Sequence, residues 1–476
     1  MFRLCCGAIQ NGGGEVQEQD SGGRLKLSEK LGYGLGDTAS NFFFQTFNIF
    51  LLYYYTDVFG ISAAAVGTLF FVSKLWDAVN DPLMGAVADR TNTRFGKFRP
   101  YLLWMAIPYG VVGYLMFANP ALDDSGKLVY AWVTYSLMMM LYTAINVPYS
   151  ALMGVITPSS RQRTLLSSYR FIGAFGGGLL ISMLVRPLVQ HFGTDDEAVG
   201  FQITMAIFAV VSIALFWTTF ATTRERVTVP AEEKSRLLDD LKFLSQNRPW
   251  VVLCFAAIFT LSSIALKNAV TIHFFKYYVG DEGDAVFLVF DLTTLFMTIG
   301  MLALIVGVAF TKFLTDRFEK KSLLIALSLG NALCMAGLYF VPPDQFGLMM
   351  VINILASLFA GPTAPLVWAM YADVADYGAW RFGRRTTGLV FSASMFAQKF
   401  GLTIGAGLSG WLLALFGYIA NVDQSDTSLM GIRLLFTIIP AVVALANVAV
   451  LMFYSLSDRQ VEEIERELAA RNAQHA

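Results

Sequence analysis

Residues 63–88 read AAAVGTLFFVSKLWDAVNDPLMGAVA, an apolar run interrupted near its middle by Lys74, Asp77, Asn80 and Asp81. About 20 mostly apolar residues suffice to cross the hydrocarbon of a bilayer, so the run reads as a transmembrane helix. An ionisable side chain at that depth costs at least about 2.5 kcal/mol on insertion scales, so each one needs a partner or a function. Spacings of three and four put the polar residues on one helix face. Two carboxylates a turn apart, with an amide oxygen beside them, make a hard-oxygen site suited to a small cation or a proton. Pro82 removes a backbone donor and permits a bend that frees a carbonyl nearby. The competing reading is a structural network in which Lys74 or another basic residue neutralises the acids.

The same signature recurs along the chain. Further windows of spanning length fall at 33–55, 100–118, 129–154, 165–190 and 200–222, then at 249–278, 287–312, 322–341, 346–374, 387–416 and 429–456. The fold expected is therefore an all-α polytopic membrane protein of twelve helices in two six-helix bundles, 30–223 and 249–456. The composition agrees, with 56% hydrophobic and 14% charged residues against roughly a quarter charged in soluble domains. A polar tail at 1–29, a charged linker at 224–248 with an amphipathic helix around 235–245, and a tail at 457–476 complete the organisation. Cys5 and Cys6 in the first tail are candidates for acylation, but no apolar segment flanks them. A formal net charge of -1 gives no reason to expect nucleic acid as a partner.

Basic residues set the orientation. Arg90, Arg94, Lys97 and Arg99 follow the second window, Arg161 and Arg163 the fourth, Arg317, Lys320 and Lys321 the eighth, and Arg381, Arg384 and Arg385 the tenth. The opposite loops carry Asp123, Asp124, Asp195, Asp196, Glu197, Asp281, Glu282 and Asp423. The positive-inside rule makes the basic side, and with it both termini, cytoplasmic. The halves also echo each other: Asp89-Arg90 returns as Asp316-Arg317, and Arg163-Thr164 as Arg385-Thr386, six helices later. A repeated half is the signature of a rocking transporter with its substrate held between the halves.

Other windows supply candidate contacts. Lys399 lies mid-window and must find an anion inside, with Asp77 and Asp81 as natural partners; a lysine that trades places with a cation is a coupling device. Asn41, Gln45, Asn146 and Tyr149 suit hydroxyl-bearing ligands, and Trp368 is open to stacking on a sugar ring or to packing. Tyr53, Tyr54, Tyr55, Tyr142 and Tyr169 are open to stacking or to packing. Arg170 is placed either to bind substrate or to snorkel, and Lys267 either to bind substrate or to serve structure. The chain contains no His-Glu-x-x-His, Gly-x-Ser-x-Gly or P-loop motif, so neither an enzyme nor an ATP-driven pump is expected.

The motifs LGYGLG at 31–36, YYYTD at 53–57, WDAVNDP at 76–82, RFGKFRP at 94–100, FKYYVG at 275–280 and ADVADYG at 372–378 resemble the glycoside-pentoside-hexuronide:cation symporters, the melibiose-permease-like branch of the major facilitator superfamily. The resemblance runs from about residue 30 to the end of the last window. It implies the major facilitator fold and uptake of a glycoside, oligosaccharide or hexuronide with Na+ or H+, without a bound cofactor. It implies that Asp77, Asn80, Asp81 and Thr143 hold the coupling ion, that Lys399 is their lysine partner, and that Arg170 lies at the sugar site. Where the family's type protein has sugar-binding carboxylates this chain has Asn41 and Asn146, and Ser40 replaces a neighbouring lysine. Fewer carboxylates beside Arg170 and Lys267 would leave the cavity more positive and permit an anionic sugar. VPYSAL at 147–152 is shared with lysophospholipid symporters, which makes lysolipid transport the alternative, with a non-transporting membrane sensor the alternative of another class. The expected setting is the bacterial inner membrane, with a single chain as the functional unit.

Overall fold

The computed structural model describes residues 25–194, 196–227, 244–382 and 387–475. Cys5, Cys6, Arg384, Arg385, Thr386, Asp195 and most of the expected linker lie outside them. The crossings are α1 (Leu27–Ile49, continued through Leu51–Tyr53 into a π-helical turn Tyr54–Val58), α2 (Ala63–Arg90), α3 (Arg99–Trp104 with Ala106–Leu115), α4 (Asp124–Ile156), α5 (Ser160–Phe192) and α6 (Glu197–Thr222). Then come α7 (Arg248–His273 with a π-helical turn Phe274–Val279), α8 (Leu292–Ala309), α9 (Lys320–Leu338), α10 (Phe346–Ala360 with Thr363–Phe382), α11 (Thr387–Leu415) and α12 (Asp426–Phe436 with Ile438–Met452). The expected last tail is a further helix, α13 (Asp458–His475), pinned by Lys320 to Asp458 at 3.7 Å and by Trp380 Nε1 to Glu467 at 2.7 Å. The eighth crossing starts later than its apolar window, because residues 286–290 form a tight turn with Leu288 in the left-handed region at φ 57°.

Polar residues start many of the helices. Side chains of Asp123, Asp196, Asn247, Asp291 and Ser425 accept from the first free N–H groups of α4, α6, α7, α8 and α12. Among the described residues eight helices are long and apolar enough to cross a membrane. The other four crossings are α1, α2, α3 and α11, and three of these carry Asp37, Asp77, Asp81 and Lys399.

Missing side chains let the helices of each half cross closely. On α1 and α5, a Cβ at Gly173 would lie 2.1 Å from the Gly34 carbonyl oxygen; on α7 and α11, one at Gly405 would lie 2.4 Å from the Ser262 carbonyl oxygen. In a bilayer such small-residue contacts let backbones approach and gain packing where water supplies no driving force. The α1–α5 crossing in one half thereby repeats as α7–α11 in the other. Across the halves α2 packs on α11 and α5 on α8. The α2–α11 contact is backbone-close near the start of α2, where a Cβ on Gly410 would meet the Ala63 carbonyl oxygen at 2.4 Å.

Candidate functional site

α2 runs unbroken through position 82, so Asp77 and Asp81 stay on one face at its middle. Asp81 is held from two sides. Thr143 Oγ1 on α4 donates to its Oδ1 at 2.9 Å, and the Lys399 ammonium on α11 makes an ion pair with its Oδ2. Lys399 therefore spans the boundary between the halves, as its position in a central apolar window requires. Asp81 and Lys399 keep 27% and 43% of their side chains exposed, so the pair borders open space. Asp77 is buried, and its Oδ1 has no hydrogen-bond partner among the described residues. Asn80 is half-buried beside it. Two carboxylates, a hydroxyl and an amide are thus gathered within one turn of α2 and its α4 neighbour.

A second cluster joins α1, α4 and α5. Arg170 Nε on α5 donates to Asp37 Oδ2 on α1 at 3.1 Å. Arg170 does not snorkel, and the expected shortage of carboxylates beside it is corrected: Asp37, one turn before Asn41, supplies the negative charge. The signal was legible, because Asp37 shares the Asn41 face of an apolar window and an intramembrane carboxylate needs a partner. Asn41 Nδ2 donates to the Asp37 backbone oxygen at 2.8 Å, and Gln45 lies against Gly178 of α5. Asn146 uses both ends of its amide within the protein, donating to Tyr142 O at 3.0 Å and accepting from Ser40 Oγ at 2.9 Å.

Tyr149 departs from its expected role. It is fully buried, its ring stacks on Tyr33 at 4.7 Å, and the two hydroxyls reach each other's backbone oxygens. The Arg170 guanidinium lies 5.3 Å from the Tyr149 ring centroid, so this tyrosine supports the arginine rather than facing a ligand. Lys267 sits within the second half, its ammonium against Phe296 of α8 and Phe436 of α12. The structure does not bring it to Arg170. Trp368 stacks on Phe391 at 5.8 Å, also within the second half.

On the face away from the termini the halves are locked together. The buried Asp57 carboxylate at the end of α1 meets Lys276 at 3.0 Å, Tyr418 Oη at 2.5 Å, Tyr277 Oη and, at 3.4 Å, His273 Nε2. Arg186 of α5 pairs with Asp291 at the start of α8 at 2.5 Å. Burial alone would raise the Asp291 carboxyl, but Arg186 and the α8 N-terminus hold it below the ordinary carboxylate range. None of these gate residues was singled out from the sequence, although YYYTD contains Asp57 and FKYYVG contains Lys276 and Tyr277.

With this geometry in place, a family model described as MFS/sugar transport protein matches residues 32–458. The chain is 40% identical to YagG of Escherichia coli (strain K12), named as a glycoside/cation symporter, over 94% of this chain and 96% of the relative. It is 34% identical to the isoprimeverose transporter of Lactiplantibacillus pentosus, over 94% and 93%. The crystal structure of the nucleoside transporter NupG superposes with a TM-score of 0.60 at 15% identity, covering 90% of this chain and 99% of that one, which places the fold.

Proposed function

The chain belongs to the MFS/sugar transport protein family, and from that membership we propose that it is a secondary symporter that brings a glycoside, oligosaccharide or hexuronide into a bacterial cell with Na+ or H+ by alternating access. Its setting is the inner membrane, with both termini cytoplasmic and one chain as the working unit. The units 30–223 and 249–456 are the bodies that rock against each other. The observation that carries this reading is the Lys399–Asp81 ion pair, which links the halves at mid-membrane beside Asp77.

The pair supplies a mechanism. Asp77, Asp81, Lys74 and Lys399 sum to zero charge when all are ionised, so a cation arriving between the carboxylates competes with the lysine. Two like charges about 4 Å apart repel by about 4 kcal/mol at an effective dielectric constant of about 20, roughly three orders of magnitude in an equilibrium. The cation then takes Asp81, with Asp77, Asn80 and Thr143 completing its oxygen shell, and Lys399 swings away. A proton on either acid would loosen the lysine by removing its partner's charge. Sugar hydroxyls meet Asn41, Gln45 and the Asp37–Arg170 pair, whose carboxylate accepts and whose guanidinium donates. A potential of about 100 mV adds about 2.3 kcal/mol per positive charge carried inward, which alone concentrates a neutral sugar more than tenfold.

Purified protein in proteoliposomes tests this with a panel of labelled glycosides and uronides at varied Na+ and pH. Counterflow of at least one sugar, with uphill uptake driven by Na+ or by a proton gradient, is expected. Absence of counterflow across the panel would overturn the reading.

A further inference from the structure

Between the two clusters runs one face of α4. Thr143, Asn146 and Tyr149 follow at intervals of three, so they lie along one side of the helix. Thr143 holds Asp81 at the candidate cation site, Asn146 accepts from Ser40 of α1, and Tyr149 packs on Tyr33 of α1 beneath Arg170. The middle contact joins α1 to Asn146 by a direct side-chain hydrogen bond, and both its atoms are committed: Ser40 is buried, with 1% of its surface exposed. Ser40 therefore offers almost no surface to a ligand in this structure. Its neighbours fix it further, since Ser40 Oγ also reaches the Gly36 carbonyl at 3.2 Å and Tyr109 donates to the Ser40 carbonyl at 3.2 Å.

We propose that Ser40 is a positioning residue that, through Asn146, ties the sugar cluster on α1 and α5 to the cation cluster on α2 and α4. The inference rests on the reading of the chain as a sugar–cation symporter and says how its two sites communicate. The two-state element is Asp81. With Lys399 on one oxygen and Thr143 on the other, α4 is held in one setting; when a cation takes Asp81 and draws in the Thr143 hydroxyl, that stretch of α4 shifts. Asn146 lies less than one turn away and cannot move independently of Thr143 in an unbroken helix. Its carbonyl pulls on Ser40, and Ser40 lies three residues from Asp37, so the shift reaches the Asp37–Arg170 pair. Linkage then requires the reciprocal effect, with bound sugar strengthening cation binding by the same factor.

The experiment uses the full chain in detergent or nanodiscs, with the glycoside that gives the strongest counterflow as probe and Na+ or pH as the second variable. For the wild type, sugar affinity with saturating cation should exceed that without it by about 5- to 150-fold, the usual span of coupling. Ser40→Ala should leave cation-free sugar affinity within about twofold and bring the ratio towards one, while Ser40→Thr, which keeps the hydroxyl, should restore most of it. A merely structural role would lower affinity equally with and without cation, and that result, or an unchanged ratio in Ser40→Ala, overturns the proposal. If Ser40→Ala does not fold, Ser40→Cys and the threonine variant supply the comparison, and a threonine variant with no coupling also overturns it. A wild type that binds sugar with no response to Na+ or pH overturns the symport reading itself, a separate outcome.

Discussion

Asp57 and Lys276 meet at 3.0 Å across the boundary between the two halves, each at the π-helical end of the first helix of its half. The pair is symmetrical in placement and opposite in charge. Around it Tyr418 and Tyr277 donate to the same carboxylate, and Asn421 donates to the Asp57 backbone oxygen at 2.5 Å. A carboxylate with no exposed surface depends on such donors, because an unpaired buried charge is costly. The face away from the termini is therefore shut by contacts that must all break for a substrate to enter from that side.

Asp57→Asn should loosen this closure. The amide keeps the shape but loses the charge that Lys276 and both phenols answer, and each hydrogen bond to a charged group contributes about 1.5–3 kcal/mol. Spin labels at Ser62 and Val422, both exposed on this face, should show a longer mean distance in the variant, and concentrative uptake should fall at least tenfold. An unchanged distance distribution with normal uptake would show that the cluster does not hold the gate.

Asp77→Asn and Asp81→Asn should each abolish ion-driven accumulation while sugar counterflow persists in part. Both acids belong to the cation cluster, whereas Asn41 and the Asp37–Arg170 pair, placed on α1 and α5, remain intact. Wild-type concentrative uptake in both variants would remove the acids from coupling.

Much of the fold was legible because hydropathy at membrane depth leaves few alternatives: with no water to satisfy backbone groups, each apolar window becomes a helix. Asp77, Asp81 and Lys399 were legible for the complementary reason, that each ionisable group at that depth needs a partner, whereas Thr143 came only from the family resemblance. Asp37 was missed because the family resemblance points to Asn41, although the same rule applies one turn earlier. Tyr149 was misread because exposure depends on which neighbour packs, and its stacking partner Tyr33 lies 116 residues away in sequence. Lys267 stayed open between substrate contact and a structural role for a like reason: the window places it in the membrane, but only the rotation of α7 decides that it faces Phe296 and Phe436.

The Lys399–Asp81 pair predicts a recoverable loss. Lys399→Ala alone leaves Asp81 facing open space without its cation, and should lower the melting temperature and stop accumulation. Adding Asp81→Asn removes the orphaned charge, so the double variant should be more stable than the single one by about 0.5–3 kcal/mol, the range of coupling for contacting residues. Uptake should not return, because the carboxylate is also the proposed cation ligand. Additive effects on stability would show that the two groups do not interact in the ground state.

Arg170 and Asp37 separate stability from transport in a second way. Arg170→Gln keeps a hydrogen-bonding side chain but leaves the Asp37 carboxylate, only 13% exposed, without its counter-charge. Breaking a fully buried pair from one side costs about 3–5 kcal/mol. Arg170 itself is 29% exposed, so the loss here should be smaller, about 1–3 kcal/mol. Asp37→Asn alone should cost less, since a guanidinium over the Tyr149 ring retains an attractive surface. The double variant Asp37→Asn with Arg170→Gln should regain most of the stability lost in Arg170→Gln, because no charge is then unpaired. Its sugar counterflow should nevertheless stay at least tenfold below wild type, since both the accepting carboxylate and the donating guanidinium are gone. Thermal melts and counterflow on the same four proteins decide it: recovery of both stability and transport in the double variant would make the pair a structural tie, whereas recovery of stability alone assigns it to the sugar.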